Sequence, residues 1–147
     1  MAHVRTQIRS AIKDALIAQL GVTYDVYSSR RYRLNATDRP MIDMRFAGVG
    51  VSQITMGDDR THVGQLYIRV QRQASENGMD DLLDTDEVAV TAVIESIDFS
   101  ALLEEDPELK QVVVDDNSDG ETVVGMLVLR YDVEYRVLKN DPETVRA

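Results

Sequence analysis

Residues 123–137 read VVGMLVLRYDVEYRV, and this stretch decides the fold class. Val123, Leu127, Leu129, Tyr131, Val133, Tyr135 and Val137 fill every odd position but Gly125, while Arg130, Asp132, Glu134 and Arg136 stand at even ones. Side chains alternate across a strand with a period of two, so the stretch is a β-strand with one apolar and one polar face. At ~3.3 Å per residue it spans roughly 45 Å, more than a compact domain of this size is wide. It is therefore expected to bend, at Gly125, or to project. Upstream, Asn117-Ser118-Asp119-Gly120 is a turn sequence that folds it back on Val112-Val113-Val114 as a long β-hairpin.

Working outward, Ile42, Met44 and Phe46 alternate with Asp43 and Arg45, which predicts a strand from Pro40 to Thr55 whose Gly48 and Gly50 mark a bulge or bend. Leu66, Ile68 and Val70 alternate with Gln65, Arg69 and Gln71, predicting a strand over about 62–73. The turn Gly57-Asp58-Asp59-Arg60 joins the two as an antiparallel pair. Tyr24 to Tyr27 reads as a short strand before a long basic loop, 28–40. Val4, Ile8, Ile12, Leu16 and Leu20 recur at helical spacing, predicting a helix over 4–20 that stops at Gly21. Met79, Leu82, Leu83, Val90, Val93, Ile94 and Ile97 predict a second over 79–97, and Phe99, Leu102 and Leu103 one more helical turn before Pro107. Periodicity is lost after Leu138, so 139–147 reads as a flexible C-terminal tail. The expectation is a single domain over 1–138 of α+β class: a mainly antiparallel or mixed β-sheet covered by two main α-helices, with a long hairpin or extended strand.

Chemistry is scarce in this composition. The 147 residues contain no Cys and only His3 and His62, which excludes disulfides, thiolate metal sites and cysteine nucleophiles. No apolar run approaches the ~20 residues that cross a bilayer, and Met1 to Arg5 lacks the apolar core of a signal peptide, so a soluble, cytoplasmic product without a membrane partner is expected. The sequence has no Gly-x-Gly-x-x-Gly, Gly-x-x-x-x-Gly-Lys or Gly-x-Ser-x-Gly motif. His62 beside Asp58 and Asp59 reads as a solvated turn rather than an acid–base or metal cluster. Asp115 to Gly120 resembles a calcium loop, but the position needing a bidentate Glu is Met126, and a hairpin turn fits better.

The charge is uneven. The net charge is −10, yet residues 1–72 hold 11 basic and 6 acidic side chains (net +5) and residues 73–147 hold 5 and 20 (net −15). Arg30, Arg31 and Arg33 form the densest cationic run, and Asp80, Asp81 and Asp84 open the second helix. If the halves separate on the surface, the positive side of one copy meets the negative side of the next, head to tail. Arg30-Arg31-Tyr32-Arg33 is a weak nucleic-acid pattern that the overall acidity argues against, so no specific nucleic acid is expected. Asp80, Asp81 and Asp84 complement the helix dipole; they also have the oxygen chemistry to hold Mg²⁺ weakly, the basis of a remote alternative, a divalent-metal-dependent hydrolase.

The element order and texture resemble the tail terminator, or minor tail, proteins of long-tailed, lambda-like bacteriophages. The residues that carry this are the helix Arg5-x-x-Ile8-Arg9-x-Ala11-Ile12-x-Asp14-Ala15-Leu16, the strands around Tyr24 and Tyr27, Met41 to Phe46 and Gly64 to Gln71, the acidic opening Met79-Asp80-Asp81-Leu82-Leu83, and Leu127 to Val137. The resemblance implies a non-enzymatic structural protein that forms a homo-oligomeric, hexameric ring on the tail tube protein, ends tube polymerisation and offers a surface to head–tail connector proteins. It implies a place in the virion tail, and in the host cytoplasm before assembly. No cofactor is expected, with at most a weak Mg²⁺ dependence of assembly. Arg30, Arg31 and Arg33 on one side and Asp80, Asp81 and Asp84 on the other are the expected oligomer or tube contacts. A head–tail connector or head-completion protein is the alternative. The longer, acidic stretch from Phe99 to Gly120 departs from the lambda-like pattern.

Overall fold

In chain order the elements are α1 (Val4–Leu20), β1 (Asp25–Val26), β2 (Met41–Ser52), β3 (Asp59–Ser75), α2 (Met79–Ser96), β4 (Glu108–Asp119), β5 (Thr122–Leu138) and β6 (Asp141–Val145). They come from a computed structural model that describes residues 3–27, 39–52, 59–75, 78–103, 105–119, 122–138 and 141–145. The strands form one six-stranded sheet in the order β1-β2-β3-β5-β4, with β6 on β5. Every pairing is antiparallel except β1 with β2, so the fold is α+β with a mixed sheet.

The alternating stretch is β5, and its odd residues Leu127, Leu129, Tyr131, Val133 and Tyr135 are buried. The buried Leu66, Ile68 and Val70 of β3 and Ile42 and Met44 of β2 share that face. Against it lie Val4, Ile8, Ile12 and Leu16 of α1, one residue per turn, and Met79, Leu83, Val90, Val93 and Ile94 of α2. This layer of aliphatic and tyrosine side chains supplies the main drive to fold. Phe99 and Leu103 close it from the predicted extra turn, where the Leu102 and Leu103 amides donate to the Phe99 carbonyl at 2.9 and 2.8 Å.

Four sequence expectations change. β5 does not project alone, because β3 pairs with it along its whole length, from Asp59 opposite Leu138 to Ser75 opposite Thr122. Neither of its ladders shifts register at Gly125, which stays in line opposite Arg72 and Asp116. A Cβ there would lie 2.3 Å from Met79 Sδ and 3.2 Å from Leu83 Cδ1, so this glycine seats the start of α2. The bulge expected in β2 falls at the first of its two glycines: the register shifts between Ala47 and Val49, and Gly48 between them has φ 67, a backbone that glycine adopts without strain. Asn117, Ser118 and Asp119 are strand rather than turn, held by pairing with Val124, Val123 and Thr122. Asp59 and Arg60 likewise start β3, because Leu138 and Val137 of β5 stand opposite. Within the stretch read as a tail, Asp141–Val145 pairs with the end of β5.

Candidate functional site

The polar groups that the fold buries fall on two levels. Asp86 sits inside the apolar stripe of α2, one turn from Leu83 and Val90, and is 0% exposed. Arg72, the helix-side residue following Leu66, Ile68 and Val70 in β3, reaches it with Nε to Oδ2 at 2.7 Å and Nη2 to Oδ1 at 2.6 Å. The Tyr24 hydroxyl donates to the same Oδ1. Three hydrogen bonds on two oxygens satisfy this carboxylate, and no solute reaches it; the cluster ties α2, β3 and the chain before β1 together. The Asp86 hydrogen bond is the largest influence that pushes Arg72 above its ordinary value.

Tyr24 is pushed up from 10.0 to about 12, by burial first and then by its bond to Asp86. Tyr131 is also pushed up to about 12, by burial and then by facing Glu95 and Glu87. A folded-state value above the unfolded one means the folded chain holds the proton more tightly. The stabilisation is therefore complete below pH 10 and is lost as pH rises through about 12. Urea unfolding across that window should show stability falling steeply, and Tyr24→Phe with Tyr131→Phe should flatten the fall.

The second level is the sheet face away from the helices. Asp43 of β2 stands directly opposite Arg69 of β3, and Arg69 Nε donates to Asp43 Oδ1 at 3.0 Å in a pair whose side chains are 3% and 11% exposed. One pair further along, Arg45 lies over the Tyr67 ring at 5.4 Å. With Met126 and Val128 these four residues line a recess of about 130 Å³. Arg130 and Asp132 of β5 continue the pattern at 4.0 Å. Alternating guanidinium and carboxylate groups make a surface for polar recognition rather than a nucleophile–base pair. At the sheet's end β4 carries exposed Leu109, Val112, Val113 and Val114, and among the described residues pairs only with β5.

Of the residues singled out from sequence, Arg30, Arg31 and Arg33 lie outside the described residues. Asp80, Asp81 and Asp84 are all exposed, with Asp80 and Asp81 in the first turn of α2, where the helix dipole favours anions. Among the described residues no three His, Asp or Glu side chains are placed to hold a metal ion. His62 is not in a solvated turn: it lies in β3 opposite Tyr135, with ring centroids 5.1 Å apart. Sequence reading missed Asp86, although a charge within the run Met79, Leu83, Val90 was a visible signal. Asp43 and Arg69 gave none, because their pairing depends on register.

No protein-family model matches the chain, and no curated protein does. Among solved structures it is similar to a chain of the virion of a native gene transfer agent particle, with a TM-score of 0.38 and 16% identity over 86% of this chain and 94% of that one. A likeness this remote leaves the function to be argued from the residues themselves.

Proposed function

We propose that the chain is a structural tail-assembly protein of a long-tailed phage that forms a ring on the end of the tail tube, ends tube polymerisation and provides the surface for head attachment. The observation that carries this is where the strand order puts the charge. β1, β2 and β3 at one side of the sheet sum to a net +1, whereas β4 and β6, which pair with a neutral β5 at the other, carry −3 and −2. An acidic end and a non-acidic one on a single body favour a heterologous contact, which closes into a ring where the rotation between copies closes. The buried ionisable groups support a structural role, since Asp86, Arg72, Asp43 and Arg69 are engaged in pairs that hold the fold.

Virions lacking the protein test the reading by electron microscopy. Overlong tails are the expected result; tails of normal length unattached to heads would replace it with the connector alternative. Light scattering should show species near six copies that weaken as salt rises from ~0.05 to ~0.5 M, because screening shortens the reach of the charges from over ~10 Å to a few Å. Reversing Arg30, Arg31 and Arg33 to Glu should impair assembly more than Lys139→Glu. Equal effects would remove those three arginines from the contact.

A further inference from the structure

β4 is the last strand of the sheet, and its 12 residues, Glu108–Asp119, pair on one side only, with β5, among the described residues. A free edge presents a row of unpaired amide and carbonyl groups, and proteins blunt such edges with charge, proline or a bulge. β4 is blunted at its start: the register shifts between Leu109 and Gln111, where Lys110 stands. From Gln111 to Val114 the sequence is Gln-Val-Val-Val, without charge or proline. Val112, Val113 and Val114 are 37%, 42% and 45% exposed. Val112 and Val114 stand opposite the buried Leu129 and Leu127 on the helix side, and Val113 opposite Val128 on the other side, so the edge is apolar on both faces.

We infer that β4 pairs antiparallel with β4 of a second copy, about a two-fold axis at Val113, and so joins two sheets into one. The strand's own sequence selects this partner and this register. With Val113 opposite itself, Val112 faces the partner's Val114 and Gln111 the partner's Asp115, each relation occurring twice. The Lys110 ammonium sits beside Glu108, at 2.9 Å, and close enough to Asp132 to feel its charge, on the face away from the helices. Asp115 is exposed on that same face, opposite Met126. Lys110, next to Gln111, therefore comes beside the partner's Asp115 at both ends of the valine core. Opposite charges across strands stabilise, and like charges directly opposite destabilise. A parallel pair in register would set Asp115 and Asp116 each against itself. An antiparallel pair centred on Val112 would bring Asp116 onto Glu108, and one centred on Val114 would put Asp115 against Val113. The Val113 register has valine on valine and no acid against an acid. The contact goes beyond the ring reading and stands without it, since a two-fold contact closes at two copies whereas a ring needs unlike patches. It engages the acidic end of the sheet, so a paired copy is withheld from a ring closed through that end.

The chain has no cysteine, so one introduced thiol reports the contact. Across the two-fold axis Val113→Cys meets itself with Cα atoms about 4.5–5.5 Å apart, within disulfide reach. Gln111→Cys and Asp115→Cys each lie four residues, about 13 Å, from the same position in the partner, out of reach, but stand opposite one another when the two variants are mixed. In the full chain under a glutathione redox buffer, Val113→Cys should cross-link at least about tenfold faster than Val22→Cys, because pairing raises the effective thiol concentration. Val22, 92% exposed, controls for random collision. The variants at 111 and 115 should match that control alone and cross-link when mixed, with circular dichroism unchanged throughout. Cross-linking of Val113→Cys no faster than the control overturns the proposal, as does equal self-linking at 111, 113 and 115, the mark of a parallel pair. Linking of Val113→Cys to Arg45→Cys in a mixture, without self-linking at 113, would give the edge to β2 of a next copy and overturn it as well. Tail length is read separately: normal tails in the null would remove the ring reading and leave a cross-link at 113 standing.

Discussion

Asp86→Ala is expected to destabilise the protein by about 3–5 kcal/mol, because it removes the only carboxylate from a buried cationic cluster. Arg72, with a side chain 14% exposed, would keep its charge with no counter-ion, and the Tyr24 hydroxyl would lose its acceptor. The replacement also opens space beside Leu83 and Val90 in a packed layer. A domain of this size holds about 5–15 kcal/mol in all, so the variant would melt roughly 10 °C lower. Replacing all three residues together, Tyr24→Phe, Arg72→Met and Asp86→Leu, should cost far less than Asp86→Ala alone, since no buried charge is then left unpaired. Thermal melts of both variants check this. A single variant as stable as the original would mean that Arg72 finds another partner.

Gly125→Val is expected to cost about 1–3 kcal/mol through overpacking. Valine suits a strand, so propensity alone favours the change, and the sign of the effect decides between the two arguments. The new Cβ would stand 2.3 Å from Met79 Sδ and 2.9 Å from Met79 Cγ, and Met79 is itself only 3% exposed. Part of the cost should therefore vanish in the double variant Gly125→Val, Met79→Ala, giving a favourable coupling of about 1 kcal/mol. Chemical unfolding of the four chains of this cycle measures it. Strict additivity would show that the helix start moves aside and that Gly125 does not fix it.

The two helices and the long strands were legible because each carries its own period. α1 runs over Val4–Leu20, the bounds that its apolar spacing predicts, and β5 buries the odd residues of its alternation. Local chemistry also marked Gly48 and Gly50 as a bulge or bend, since a glycine in an alternating run has no packing reason to be there, and the structure puts the bulge at Gly48. Turn residues misled where pairing outweighed them: Asn117, Ser118 and Asp59 have turn chemistry and stand in ladders because a partner strand lies opposite. Gly125 misled for a related reason, since its missing side chain answers to Met79, a contact across 46 positions of chain that no local pattern records.

The sequence by itself determined what each segment is, which face of it is apolar, and that the chain carries opposite charge in its two parts, because all three are properties of neighbours along the chain. Only the tertiary structure decided which charges meet. It set Asp86 on Arg72 and Asp43 on Arg69. Strand order and register are fixed by the burial of whole faces against one another, so which strands become neighbours is a result of packing that no shorter stretch contains.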